Sequence, residues 1–109
     1  MRPIQPKTKE NMLIILEILQ RYRQLHIRGM RRVIEIEYKK TLNPYTINRI
    51  IEEYLSDYIQ INDLTESIGV RLKFCSIKPE FIDMSREEIV RNVIKKALDK
   101  HNFRKSIRR

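Results

Sequence analysis

Few residues in this chain are of types that make or break bonds, and their spacing argues against catalysis. Glu37-Tyr38-Lys39, inside "VIEIEYKK", has the E-x-K form in which a carboxylate and a lysine flank a metal-bound water. That chemistry also needs an acidic residue on a strand just upstream, where the chain offers Glu10 and Glu17 in a helical pattern. His26 and His101 are single, with no partner at metal-ligand spacing, and neither a phosphate-binding glycine loop nor a Ser, His and Asp set is present. The reading is therefore of a protein that is not an enzyme, with no metal and no cofactor. A different kind of chemistry is suggested by "TLNPYTINRIIEEYL", residues 41 to 55. Asn43 is a good N-cap, Pro44 suits a first helical turn, and Ile47, Ile50, Ile51, Tyr54, Leu55 and Tyr58 follow the helical series. A cap does not require Tyr45, Thr46, Asn48 and Arg49, which crowd hydrogen-bond donors into the exposed first turns. The plain alternative is a solvated face on which Arg49 pairs with Glu53 at i, i+4.

Charge narrows the choice of partner. The chain has 109 residues and a net charge of +9, which favours a polyanion. Distribution adds to this: Arg21, Arg23, Arg28, Arg31, Arg32, Lys39, Lys40 and Arg49 stand against Glu35 and Glu37, and the chain ends in "KHNFRKSIRR". The lone Cys75 excludes an intramolecular disulfide and a multi-cysteine zinc finger, so a reducing, cytoplasmic setting is expected. No secretion signal is visible. The apolar stretch from Met12 is broken by Glu17 and too short for a membrane span, so no membrane partner is expected.

The elements that must position these residues follow from periodicity. Residues 1 to 7, with two prolines, read as an extended basic arm. From residue 8 to about 25 the chain is helical, with Met12, Ile15, Leu16, Leu19 and Tyr22 on one face. Leu13, Ile14 and Ile18 widen that face, which calls for burial either by a second subunit or inside one protomer. Residues 30 to 40 fit two periods. Ile34, Ile36 and Tyr38 alternate as in a strand, whereas Met30, Val33, Ile34 and Tyr38 make a helical stripe; Gly29 ahead of them suits a break after the first helix. "YIQIND" and "VRLKFCSI" read as a hairpin joined by "LTESIG", with Gly69 free to take a positive φ. In its second strand Val70, Leu72 and Phe74 pack, while Arg71, Lys73 and Cys75 face outward; Arg71 and Lys73 then suit a phosphate backbone, and their charge would activate the thiol slightly, although a plain, partly buried thiol is the simpler reading. After Pro79 a helix opens with the capping box Ser85 to Glu88 and the staple Met84 to Ile89. Residues 103 to 109 read as a mobile basic tail.

With residues 30 to 40 helical, the order helix, helix, turn, helix, hairpin, helix resembles the winged helix-turn-helix family of DNA-binding proteins. "TLNPYTI" is similar to the family's turn, "NRII" to the opening of its second helix, and "DYIQINDLTESIGVRLKF" to the wing. The resemblance spans roughly residues 12 to 78, within a domain of residues 8 to 102. It implies a mainly α fold with a small β-hairpin and an extra C-terminal helix, which binds double-stranded DNA as a transcriptional regulator acting by operator occupancy. A recognition helix enters the major groove by its N-terminus, so Tyr45, Thr46, Asn48 and Arg49 would reach DNA. Arg49 suits guanine or phosphate, Asn48 adenine, and Thr46 and Tyr45 phosphate, with Arg71, Lys73, Arg31 and Arg32 as further DNA-binding residues. A homodimer through the first and last helices is expected. Two alternatives stay open: a small α+β RNA-binding or ribonucleoprotein subunit if residues 30 to 40 form a strand, and a protein-interaction subunit of a replication or transcription complex.

Overall fold

The computed structural model describes residues 4 to 63 and 73 to 107. Its elements are helix α1 (Pro6–Tyr22), strand β1 (Gln24–His26), helix α2 (Ile27–Glu37), helix α3 (Pro44–Tyr54), strands β2 (Ile59–Asp63) and β3 (Lys73–Ile77), a 3₁₀ turn (Pro79–Phe81) and helix α4 (Arg86–Ile107). The strands form one antiparallel sheet in the order β1-β3-β2. The architecture is α-rich with a β-hairpin wing, the class expected, with β1 as an addition. α1 starts at Pro6, inside the segment expected to be an extended arm, and α4 continues through Ile107, into the segment expected to be a tail. No helix among the described residues is long and apolar enough to cross a membrane.

The helical reading of residues 30 to 40 holds as far as Glu37, and the strand reading fails there. Met30 and Ile34 are buried, while Ile36, which a strand would have placed beside Ile34, is 63% exposed. α2 begins three residues earlier than the local pattern indicated, because a side chain caps it. The His26 imidazole accepts a hydrogen bond from the Gly29 N–H at 2.9 Å, satisfying one of the orphan donors of the first turn. Gly29 is thus not a break after α1. It lies inside α2, and a Cβ there would stand 2.6 Å from His26 Nδ1, so the glycine makes room for the capping ring.

α2 ends by a left-handed residue. Tyr38 N–H donates to the Ile34 carbonyl, and Lys39 then takes φ 53°, a conformation that favours glycine. The side chain at Lys39 is exposed, so its backbone strain is not repaid by packing. Lys39→Gly is expected to stabilise the protein by about 1 kcal/mol, the order of the left-handed penalty for a side-chain-bearing residue less the added flexibility of the unfolded chain. Thermal unfolding checks this, and a fall in midpoint would contradict it. From Lys39 the chain turns through buried Leu42 to Asn43, whose Oδ1 accepts from the Tyr45 N–H at 2.8 Å and caps α3 as expected.

The core gathers Met12, Ile15, Leu16 and Leu19 of α1, Met30 and Ile34 of α2, Ile47, Ile50 and Ile51 of α3, and Leu55. Ile59, Cys75 and Ile77 line it from the sheet, and Ile89, Val90 and Val93 from α4. α4 packs on α1, and α2 packs on α3. The apolar surplus on α1 is therefore used within the protomer: Ile14 and Ile18 are buried, and Leu13 packs partly buried against the same core. A second subunit is not needed to cover this helix. Polar clips tie α1 to its neighbours. Lys40 Nζ donates to Oδ1 of buried Asn11 at 2.8 Å, and Arg86 donates to Gln20 Oε1 at 2.9 Å while Gln20 Nε2 donates to the Met84 carbonyl. At the start of α4 the Glu88 N–H donates to Ser85 Oγ at 3.2 Å, the first half of the expected capping box.

Candidate nucleic-acid interface

α3 turns its Ile47, Ile50, Ile51 side to the core, and the opposite side follows from the helical repeat. Tyr45, Asn48, Arg49 and Glu52 stand at i, i+3, i+4 and i+7 and share the outward face. Tyr45 is 73% exposed, Arg49 is exposed, and Thr46 and Asn48 are half-buried at the flanks. The N-terminal half of this face is cationic and rich in donors. Its next turn is acidic through Glu52 and Glu53, both exposed. Glu52 lies on the same face as Arg49, which limits close approach to phosphate to the first two turns. Asp57 is outside this arrangement: Lys96 Nζ donates to its carboxylate at 2.6 Å, and that hydrogen bond holds the carboxyl below the usual range. Among the described residues no ion pair engages Arg49, so the expected alternative of an Arg49–Glu53 pair is not formed.

α2 supplies a second basic face. Arg31 and Arg32 are exposed on it, and Arg28 joins them because α2 starts at Ile27. Arg28, Arg32 and Ile36 form one row at i, i+4 and i+8. Arg28 is not among the DNA-binding residues expected from the sequence; the missing signal was the His26 cap, which sets where the helix begins.

The wing is corrected in its facing. Cys75 and Ile77 are the buried positions of β3, and Cys75 is 1% exposed. Phe74 and Ser76 lie on the outer face with the residues opposite them, so the predicted packing face at Phe74 and the predicted outward Cys75 are exchanged. The reason is β1: pairing Leu25 with Cys75 places that row over the helices, while the His26 ring stacks on Phe74 across the outer face, with centroids 5.9 Å apart. Cys75 is also not activated. Burial pushes its thiol up to about 11, so the nucleophilic thiolate is scarce at neutral pH. Thiol labelling at neutral pH should therefore proceed no faster than unfolding exposes Cys75; rapid labelling of the native protein would overturn its placement. Lys73 is exposed at the start of β3. Arg71, Gly69, Val70 and Leu72 lie outside the described residues.

The E-x-K element is not arranged for hydrolysis. Glu37 closes α2 rather than lying on a strand, and its carboxylate accepts from Arg21 Nη2 at 2.7 Å and from the Tyr22 hydroxyl at 3.0 Å. The Arg21 hydrogen bond, with the Tyr22 one behind it, holds the Glu37 carboxyl below its ordinary range. The Tyr38 hydroxyl is buried and has no hydrogen-bond partner among the described residues; burial, reinforced by the nearby Glu17 carboxylate, pushes it up to about 12. Among the described residues no three His, Cys, Asp or Glu side chains gather as metal ligands would. Neither known protein families nor characterised proteins give a match to this chain.

Proposed function

We propose that this protein binds double-stranded DNA through the N-terminal turns of α3 and regulates transcription by occupying its site as a homodimer. The observation that carries the reading is the outward donor face of Tyr45, Asn48 and Arg49, which no side-chain hydrogen bond engages among the described residues, on a helix capped by Asn43 with its other side wedged into the core. α2, packed across α3, adds Arg28, Arg31 and Arg32, suited to phosphate on either side of the groove. Lys73, exposed at the start of β3, extends the basic surface to the sheet. The net charge of +9 supplies the sequence-independent part of the affinity. The reading involves no catalysis and operates in the cytoplasm.

The test is a salt-dependent titration on a duplex selected from a random pool and on random duplex. Arg31→Ala, Arg32→Ala and Lys73→Ala should each weaken both duplexes alike and lower the salt slope by roughly one unit for each phosphate no longer neutralised. Failure to enrich any sequence, with no salt dependence, would remove the DNA reading. Preferential capture of unpaired RNA would replace the DNA reading with single-strand binding on the outer sheet face, where the His26 ring stacks on Phe74.

A further inference from the structure

Among the described residues β2 is an edge strand with no lysine, no proline and no bulge. Among the described residues, in the order β1-β3-β2, its far side carries no strand and β3 is the one element packed extensively along it. Edge strands are commonly blunted by lysine, proline or a bulge. "IQIND" has neither lysine nor proline, in a chain with 23 lysines and arginines, and its register with β3 is unbroken from Ile59↔Ile77 to Asp63↔Lys73. Ile61 stands 41% exposed at its centre.

The direction of the free backbone groups follows from one bond. Lys78 N–H donates to the Tyr58 carbonyl at 2.9 Å, continuing the same register. Hydrogen-bonded pairs alternate along an antiparallel ladder, so Gln60 and Asn62 turn their backbone groups toward β3, and Ile59, Ile61 and Asp63 turn theirs away. Of the outward donors, the Ile59 N–H is taken by the Leu55 carbonyl at 2.9 Å. What remains is self-complementary about Ile61.

We propose that β2 is the surface by which two copies of this chain pair, antiparallel about a two-fold axis at Ile61. In that arrangement the two Ile61 residues exchange two backbone hydrogen bonds. Each Asp63 N–H meets the facing Ile59 carbonyl, for two more. The partly exposed Ile61 side chains cover one another on the helix side of the sheet, and Gln60 faces the partner's Asn62 on the outer side, amide to amide. The two sheets become one of six strands. A second copy is favoured over a foreign peptide because the free groups match their own two-fold image, and because this strand carries no cation to repel an equally basic copy. This inference deepens the homodimer of the proposed function and does not depend on DNA.

Sedimentation equilibrium of the full chain should give a dimer, and Ile61→Lys should give a monomer with unchanged circular dichroism. Independently, Ile61→Cys in a Cys75→Ala background should form a covalent dimer under mild oxidation, whereas Leu98→Cys in the same background should not. A wild-type monomer at all accessible concentrations, a dimer that survives Ile61→Lys, or cross-linking at Leu98 in place of Ile61 would each overturn the proposal. Should Ile61→Lys fail to fold, the cross-linking pair still decides. A dimeric wild type that binds no DNA, with Ile61→Cys still forming the cross-link, would sink the DNA reading alone, and DNA binding by a monomeric Ile61→Lys would separate the two claims from the other side.

Discussion

Arg49→Ala and Asn48→Ala are each expected to lower affinity for a selected duplex by about 1–3 kcal/mol, roughly 5- to 150-fold, while leaving random duplex nearly unchanged. The expectation rests on position as well as on residue type. Both side chains project from the outward face of α3 within two turns of its N-terminus, and no carboxylate among the described residues pairs with Arg49. An arginine that only neutralises phosphate would reduce binding to both duplexes equally, as expected for Arg31, Arg32 and Lys73. An arginine or asparagine that meets a base edge leaves that base unpaired when removed, so its effect depends on sequence. Glu52→Gln should strengthen both duplexes, because it removes a like charge from the same face. If Arg49→Ala changes neither affinity, α3 is a well-capped helix of another purpose and the recognition claim fails.

Helix α3 was legible because its signals are local: Asn43 and Pro44 start it, and the isoleucine series chooses its buried side. The hairpin was legible by alternation, yet its facing was not. Alternation gives two faces without saying which one meets the core, and that choice was made by β1, a strand too short to leave a pattern of its own. The start of α2 was hidden for a similar reason. Histidine is not among the common caps, and a glycine in the first turn reads as a break until the ring it accommodates is seen. The surplus on α1 was read correctly as apolar, but its coverage by α4 and the sheet comes from tertiary packing, which periodicity does not contain.

The two isoleucines of "VIEIE" turn the helix-or-strand question into a stability measurement. Ile34→Ala should cost about 2–5 kcal/mol, since it removes a fully buried side chain from the layer between α1, α2 and α3 and leaves a cavity that fixed helices close only in part. Ile36→Ala should change stability by no more than about 0.5 kcal/mol, because that side chain is 63% exposed and alanine favours the helix slightly. A strand would place both residues on one face and make both substitutions costly. Chemical denaturation of the two variants therefore separates the alternatives without a structure. Comparable losses at both positions would remove α2, and with it the crossing that supports α3 as a recognition helix. The inequality also predicts a functional contrast: Ile36→Ala keeps DNA affinity, while Ile34→Ala reduces the folded fraction and leaves the affinity of the molecules that remain folded nearly unchanged.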